Sequence, residues 1–141
     1  MIRLFLVALA LLLPALAFAE GPVVDKATCT VSWDAPTTNA DGTPLADLAG
    51  YDVYLGDTPA DVAASGPLAQ VPAPSPTPVA GATVTWPCSG LAARQHYLQL
   101  AAYDLVGNRS ARTPVFPFVV QIAVPPPTDP APSAPTRVRI P

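Results

Sequence analysis

The chain has 141 residues, a formal net charge of −3 and only 12% charged residues. Lys26 is its single lysine and no basic cluster occurs, which excludes nucleic acid as a partner, because that binding rests on Lys and Arg neutralising phosphates. With two cysteines, one histidine and no metal-ligand spacing, the composition offers no metal centre and no cofactor site.

Residues 1–19 read as a secretory signal peptide. Met1-Ile2-Arg3 is a short basic start, Leu4 to Leu13 is an apolar run, and Pro14 breaks it. Ala17-Phe18-Ala19 fits the small-x-small cleavage rule, so the mature chain begins at Glu20. The run is shorter than the ~20 residues that span a bilayer, so no membrane span is expected after cleavage. The expected location is therefore periplasmic, cell-surface or secreted.

Residues 20–28 hold at most a short first strand at Pro22-Val23-Val24. Cys29 to Trp33 alternates with period two, placing Cys29, Val31 and Trp33 on one buried face. Residues 37–49 form a loop with a turn at Asn39-Ala40-Asp41-Gly42. That turn matches part of a calcium loop, but the final carboxylate position would fall on Leu48, so an Asp-Gly turn is the better reading. Gly50 to Gly56 is a strand with Tyr51, Val53 and Leu55 on one face and Asp52 and Tyr54 on the other.

Residues 57–81 are rich in Pro, Ala, Ser and Thr and read as a connection, with a short edge strand over Leu68–Val71. Pro72, Pro74, Pro76 and Pro78 follow at every second position and shield a sheet edge. Ala82 to Cys88 alternates again, with Val84, Trp86 and Cys88 inward and Pro87 marking an edge. Leu91 to Ser110 reads as a corner, a central strand and a hairpin turned by Gly107-Asn108. The corner is assigned to Leu91 and Tyr97, with the Tyr hydroxyl bonded back to upstream backbone. Val115 to Ile122 is the last strand, placed at an edge by Pro114 and Pro117. Residues 123–141 form a Pro-rich C-terminal tail.

Trp33-Asp34-x-Pro36, Gly50-Tyr51-x-Val53-Tyr54, Leu91, Tyr97, and Tyr103-Asp104-x-x-Gly107-Asn108-x-Ser110 occur in this order. The set resembles the bacterial, exported fibronectin type III domain family over most of residues 22–122. The resemblance implies an all-β, immunoglobulin-like Greek-key β-sandwich of about seven strands over residues 20–122. It implies a non-enzymatic module that binds an unknown protein partner. The alternatives are a passive structural spacer and an accessory carbohydrate-binding module. It also makes the second and fifth strands antiparallel neighbours, which would pair Cys29 with Cys88, Val31 with Trp86, and Trp33 with Val84. In an exported chain that implies a Cys29–Cys88 disulfide.

Catalysis is not expected. His96 stands alone, no nucleophile elbow occurs, and the Asp residues are scattered over turns. Asp104 is expected to accept backbone hydrogen bonds in its hairpin. With Tyr97 facing the core, Leu98 and Leu100 face outward and join Tyr54 in an apolar surface patch. Tyr54, Leu98 and Leu100 are the expected interaction surface.

Overall fold

Period-two alternation is realised as seven strands in the computed structural model, which describes residues 21–124. Residues 1–20, which include the expected signal peptide, and tail residues 125–141 lie outside the described residues. The strands are β1 (Val23–Asp25), β2 (Thr30–Asp34), β3 (Leu48–Gly56), β4 (Ala69–Pro72), β5 (Thr83–Pro87), β6 (Gln95–Asp104) and β7 (Phe116–Gln121). They form a five-stranded sheet, in the order β1-β7-β6-β3-β4, and a two-stranded sheet of β2 and β5. Neighbours are antiparallel except β1 and β7, which run parallel.

The two sheets face each other across one core. Cys29 and Cys88 from the small sheet meet Val53, Leu98, Leu100, Phe118 and Val120 from the large one. Val31, Trp33 and Trp86 pack against this cluster from the side. Fully burying side chains of this size contributes ~1.5–3 kcal/mol each, so this cluster dominates the favourable side of folding. The β2–β5 register is the expected one, Val31 opposite Trp86 and Trp33 opposite Val84. Both tryptophans therefore pack inward and form no exposed sugar platform.

Three expectations change. First, the 57–81 connection contains a helix, α1 (Pro59–Ala64). Thr58 caps it by accepting the Asp61 N–H, and Pro59 opens its first turn. Val62 anchors it, fully buried, against β3. Gly56 permits the approach, since a Cβ there would lie 2.3 Å from the Val62 nitrogen.

Second, β7 is flanked on both sides rather than lying at an edge. Its partners are staggered: β6 pairs with Phe116–Val119, while β1 pairs with Val119–Gln121. The Val119 N–H turns towards β1, to the Pro22 carbonyl, and the Val120 N–H turns towards β6, to the Arg94 carbonyl. Pro117 is in phase with Val119. Its missing donor therefore faces a stretch where β1 has not yet begun.

Third, the faces of β6 are reversed. His96, Leu98 and Leu100 face the small sheet, and Tyr97 and Ala101 face the opposite way, under α1. Both rows are buried because β6 lies at the middle of the sheet and its outer face is covered. The expected phase follows from placing Tyr97 in the core, and two apolar rows give alternation nothing to choose between.

Candidate interaction surface

The disulfide joins Cys29 and Cys88 with Cα atoms 5.0 Å apart, one step beyond the paired residues of β2 and β5. The Cys88 N–H donates to the Cys29 carbonyl at 3.0 Å, so the bridge closes a hydrogen-bonded rung. The pair is structural and fully buried.

The corner before β6 is tied by His96, not Tyr97. The His96 Nε2 lies 2.9 Å from the Ala92 carbonyl, and its ring packs on Phe118 with centroids 5.6 Å apart. Only 2% of its surface is exposed. Leu91 packs on the main core cluster. Tyr97 joins Tyr54, Val62 and Ala101 in the outer cluster instead.

The expected patch of Tyr54, Leu98 and Leu100 is not a surface. Leu98 and Leu100 are core residues of the sandwich, and Tyr54 lies beneath α1 and Arg112 on the other face. The structure does not bring the three together. It builds a covered polar network on the outer face instead. Asp52 is fully buried there and accepts from Arg109 Nε at 2.7 Å and Gln70 Nε2 at 2.8 Å. The Tyr54 hydroxyl approaches it at 3.4 Å. Burial pushes the Asp52 carboxyl up, but these donors and the Arg109 charge together hold it below the usual carboxylate range. Arg112 lies 3.6 Å from the Tyr54 ring centroid and donates to the Val62, Ala63 and Ser65 carbonyls, closing the C-terminal end of α1.

The chain reaches these positions through an irregular return from the hairpin. Tyr103 bridges Arg109, and Leu98 pairs with Phe116, so the return carries two more residues than the stretch of β6 it faces. Ser110 and Thr113 satisfy the backbone of Ala102 and Leu100. One surplus residue falls between Ser110 and Thr113, where Arg112 reaches across to α1, and the other between Thr113 and Phe116.

An open surface lies at the loop end, where the β2–β3 loop meets the β6–β7 hairpin. A groove of about 450 Å³ runs between them, bordered by Asn39, Asp41, Leu45, Tyr103, Asn108 and Arg109. The hairpin is held rigidly. Asp104 Oδ1 accepts the Val106 and Asn108 N–H groups at 3.0 and 2.8 Å, and Oδ2 accepts Asn108 Nδ2 at 2.8 Å. Partial burial raises the Asp104 carboxyl, but these bonds from Asn108, Val106 and Gly107 outweigh it and leave it lowered. Gly107 supplies the positive φ of 92° that the turn requires. The Leu105 N–H donates to the Asp47 carbonyl at 2.9 Å, fastening the hairpin to the neighbouring loop.

This bracing displays two apolar side chains to solvent, Leu105 at 70% and Val106 at 78% exposure. Sequence reasoning gave Asp104 its role but passed over Leu105 and Val106. The signal was present: an apolar pair inside a turn, between Asp104 and Gly107, has no core to enter. Arg109 and Arg112 carried no comparable signal, because their partners lie 57 and about 50 residues away. No family model, curated protein or solved structure matches the chain.

Proposed function

We propose that the protein is a non-catalytic, exported interaction module of fibronectin type III-like type, which engages a protein partner through its loop end. The observation that carries the reading is the exposed Leu105-Val106 pair, held on a rigid hairpin beside the 450 Å³ groove. A preorganised apolar tip loses little conformational entropy on binding and offers desolvation as its driving force. The family assignment is supported by the order of the matching residues and by sheet partners resembling that family's, with β2 and β5 on one side and β7, β6, β3 and β4 on the other. It departs from the family in pairing β1 with β7. Export is supported by the leader-like residues 1–19 and by the buried disulfide.

The test is capture of partners from envelope extracts by the full chain and by Leu105→Ser/Val106→Ser. The double variant is expected to keep its denaturation midpoint, because neither side chain packs on the core, and to lose the captured protein. Equal capture by both chains would remove the loop end as the site.

A further inference from the structure

Open strand edges are hazards that proteins guard, and three of the four edges here are guarded. β1 is only three residues long. β4 ends in Pro72, followed by further prolines. On β5, the Cys88 N–H bond to the Cys29 carbonyl sets the phase, so residues 84 and 86 face β2 while 83, 85 and 87 face away. One of those outward positions is Pro87, which has no donor. By the same phase, Thr30, Ser32 and Asp34 of β2 point their backbone groups away from β5. All three residues are exposed, and among the described residues nothing pairs with this edge. β2 holds no proline, no lysine and no bulge. Beside it the two sheets part in a groove of about 180 Å³ bordered by Val24, Val31, Phe116 and Phe118. Phe116 remains 46% exposed.

A strand laid along this edge would need apolar side chains at alternate positions, to enter the groove, and polar ones between them. Next to Asp34, basic side chains suit the polar positions. Arg137-Val138-Arg139-Ile140 has that pattern. The chain leaves β7 at the end of the sandwich where β2 begins, since Ile122 and Ala123 lie with Asp25, Lys26 and Ser89. Residues 125–136 intervene. A Pro-rich stretch of that length extends up to about 37 Å, roughly twice the ~17 Å length of a five-residue strand.

We propose that Arg137–Ile140 of the same chain adds to the free edge of β2 as a further strand, with Val138 and Ile140 in the groove and Arg137 and Arg139 on the side of Asp34. The added strand guards the edge that no proline protects. A second copy's tail or a foreign strand would use the same edge.

The experiment is residue-resolved hydrogen exchange on the full exported chain and on the full chain carrying Val138→Asp/Ile140→Asp. The Ser32 and Asp34 amides are expected to exchange at least about tenfold faster in the variant, with Val53 unchanged as the reference for global folding. Adding a peptide of residues 136–141 to the variant should restore the protection. Equal exchange of Ser32 and Asp34 in both chains would overturn the proposal. Protection that falls on dilution, together with a dimer by light scattering, would place the tail of a second copy on the edge and overturn the intramolecular form.

Discussion

Asp52 shows how a single buried charge is tolerated. It has no exposed surface, yet its oxygens are occupied by Arg109, Gln70 and Tyr54, so desolvation is offset by donors. Its carboxyl is held below the unfolded value of ~3.9. Its contribution is therefore fully present above that pH and is lost as pH falls through the lower, folded value. Asp52→Asn should lower stability at neutral pH by ~1–3 kcal/mol, because a charge-assisted acceptor becomes a neutral amide whose N–H group faces other donors. It should also flatten the acid limb of the stability profile, a portion of which is left to Asp104. Denaturant titrations from pH 7 downward check both. Parallel acid limbs for the two chains would show that the Asp52 cluster is not what acid dissolves. The role of Asp52 was not visible in the sequence. Alternation put it on the outer face of β3 beside Tyr54, but the partner that makes burial tolerable comes from beyond the β6–β7 hairpin.

At the level of elements, what could be read depended on whether one face of a strand was buried or both. β2 and β5 have a solvent face, so alternation showed which of their residues point inward, while their pairing register came from the family resemblance. β3 was legible because Tyr51 and Val53 differ clearly from Asp52. β6 was not, since Tyr97 and Ala101 are as apolar as Leu98 and Leu100, and a one-residue change of phase exchanges every side chain. The helix was missed for another reason. Six residues are too few to show a helical period, so only the Thr58-Pro59-Ala60-Asp61 start could have revealed it. A helix so short is held by tertiary contact rather than by propensity. Gly56→Ala tests that contact. Its Cβ would overlap backbone atoms of Asp61 and Val62, which cannot move aside as a side-chain tip can. A loss of ~1–3 kcal/mol is expected, as for other overpacked sites. It should be accompanied by faster amide exchange in residues 59–65. An unchanged midpoint would show that α1 is a surface turn the sheet does not need.

For the whole molecule, the small sheet sets the problem of stability. Two strands alone are marginal in water, and β2 and β5 are separated in sequence by β3, α1 and β4. Their pairing must be won against the entropy of closing a long loop, which grows with length. The Cys29–Cys88 bridge removes much of that cost from the unfolded chain, across a sequence separation of 59. Such a loop corresponds to about 4 kcal/mol in the chain-entropy account. The bridge also lies in the main core cluster, so replacing both cysteines by alanine would add a packing loss to the entropic one. Comparing the oxidised chain with its thiol-reduced form leaves the side-chain volumes almost unchanged and isolates the cross-link. Reduction should lower the thermal midpoint by on the order of 15–30 °C for a domain of this size. The loss should appear first as faster exchange in β2 and β5, while the β3–β6 pairing at the centre of the large sheet persists to higher temperature. A reduced chain that melts within about 4 °C of the oxidised one, the equivalent of under ~1 kcal/mol, would mean that β2 and β5 stay close in the unfolded ensemble without the bridge.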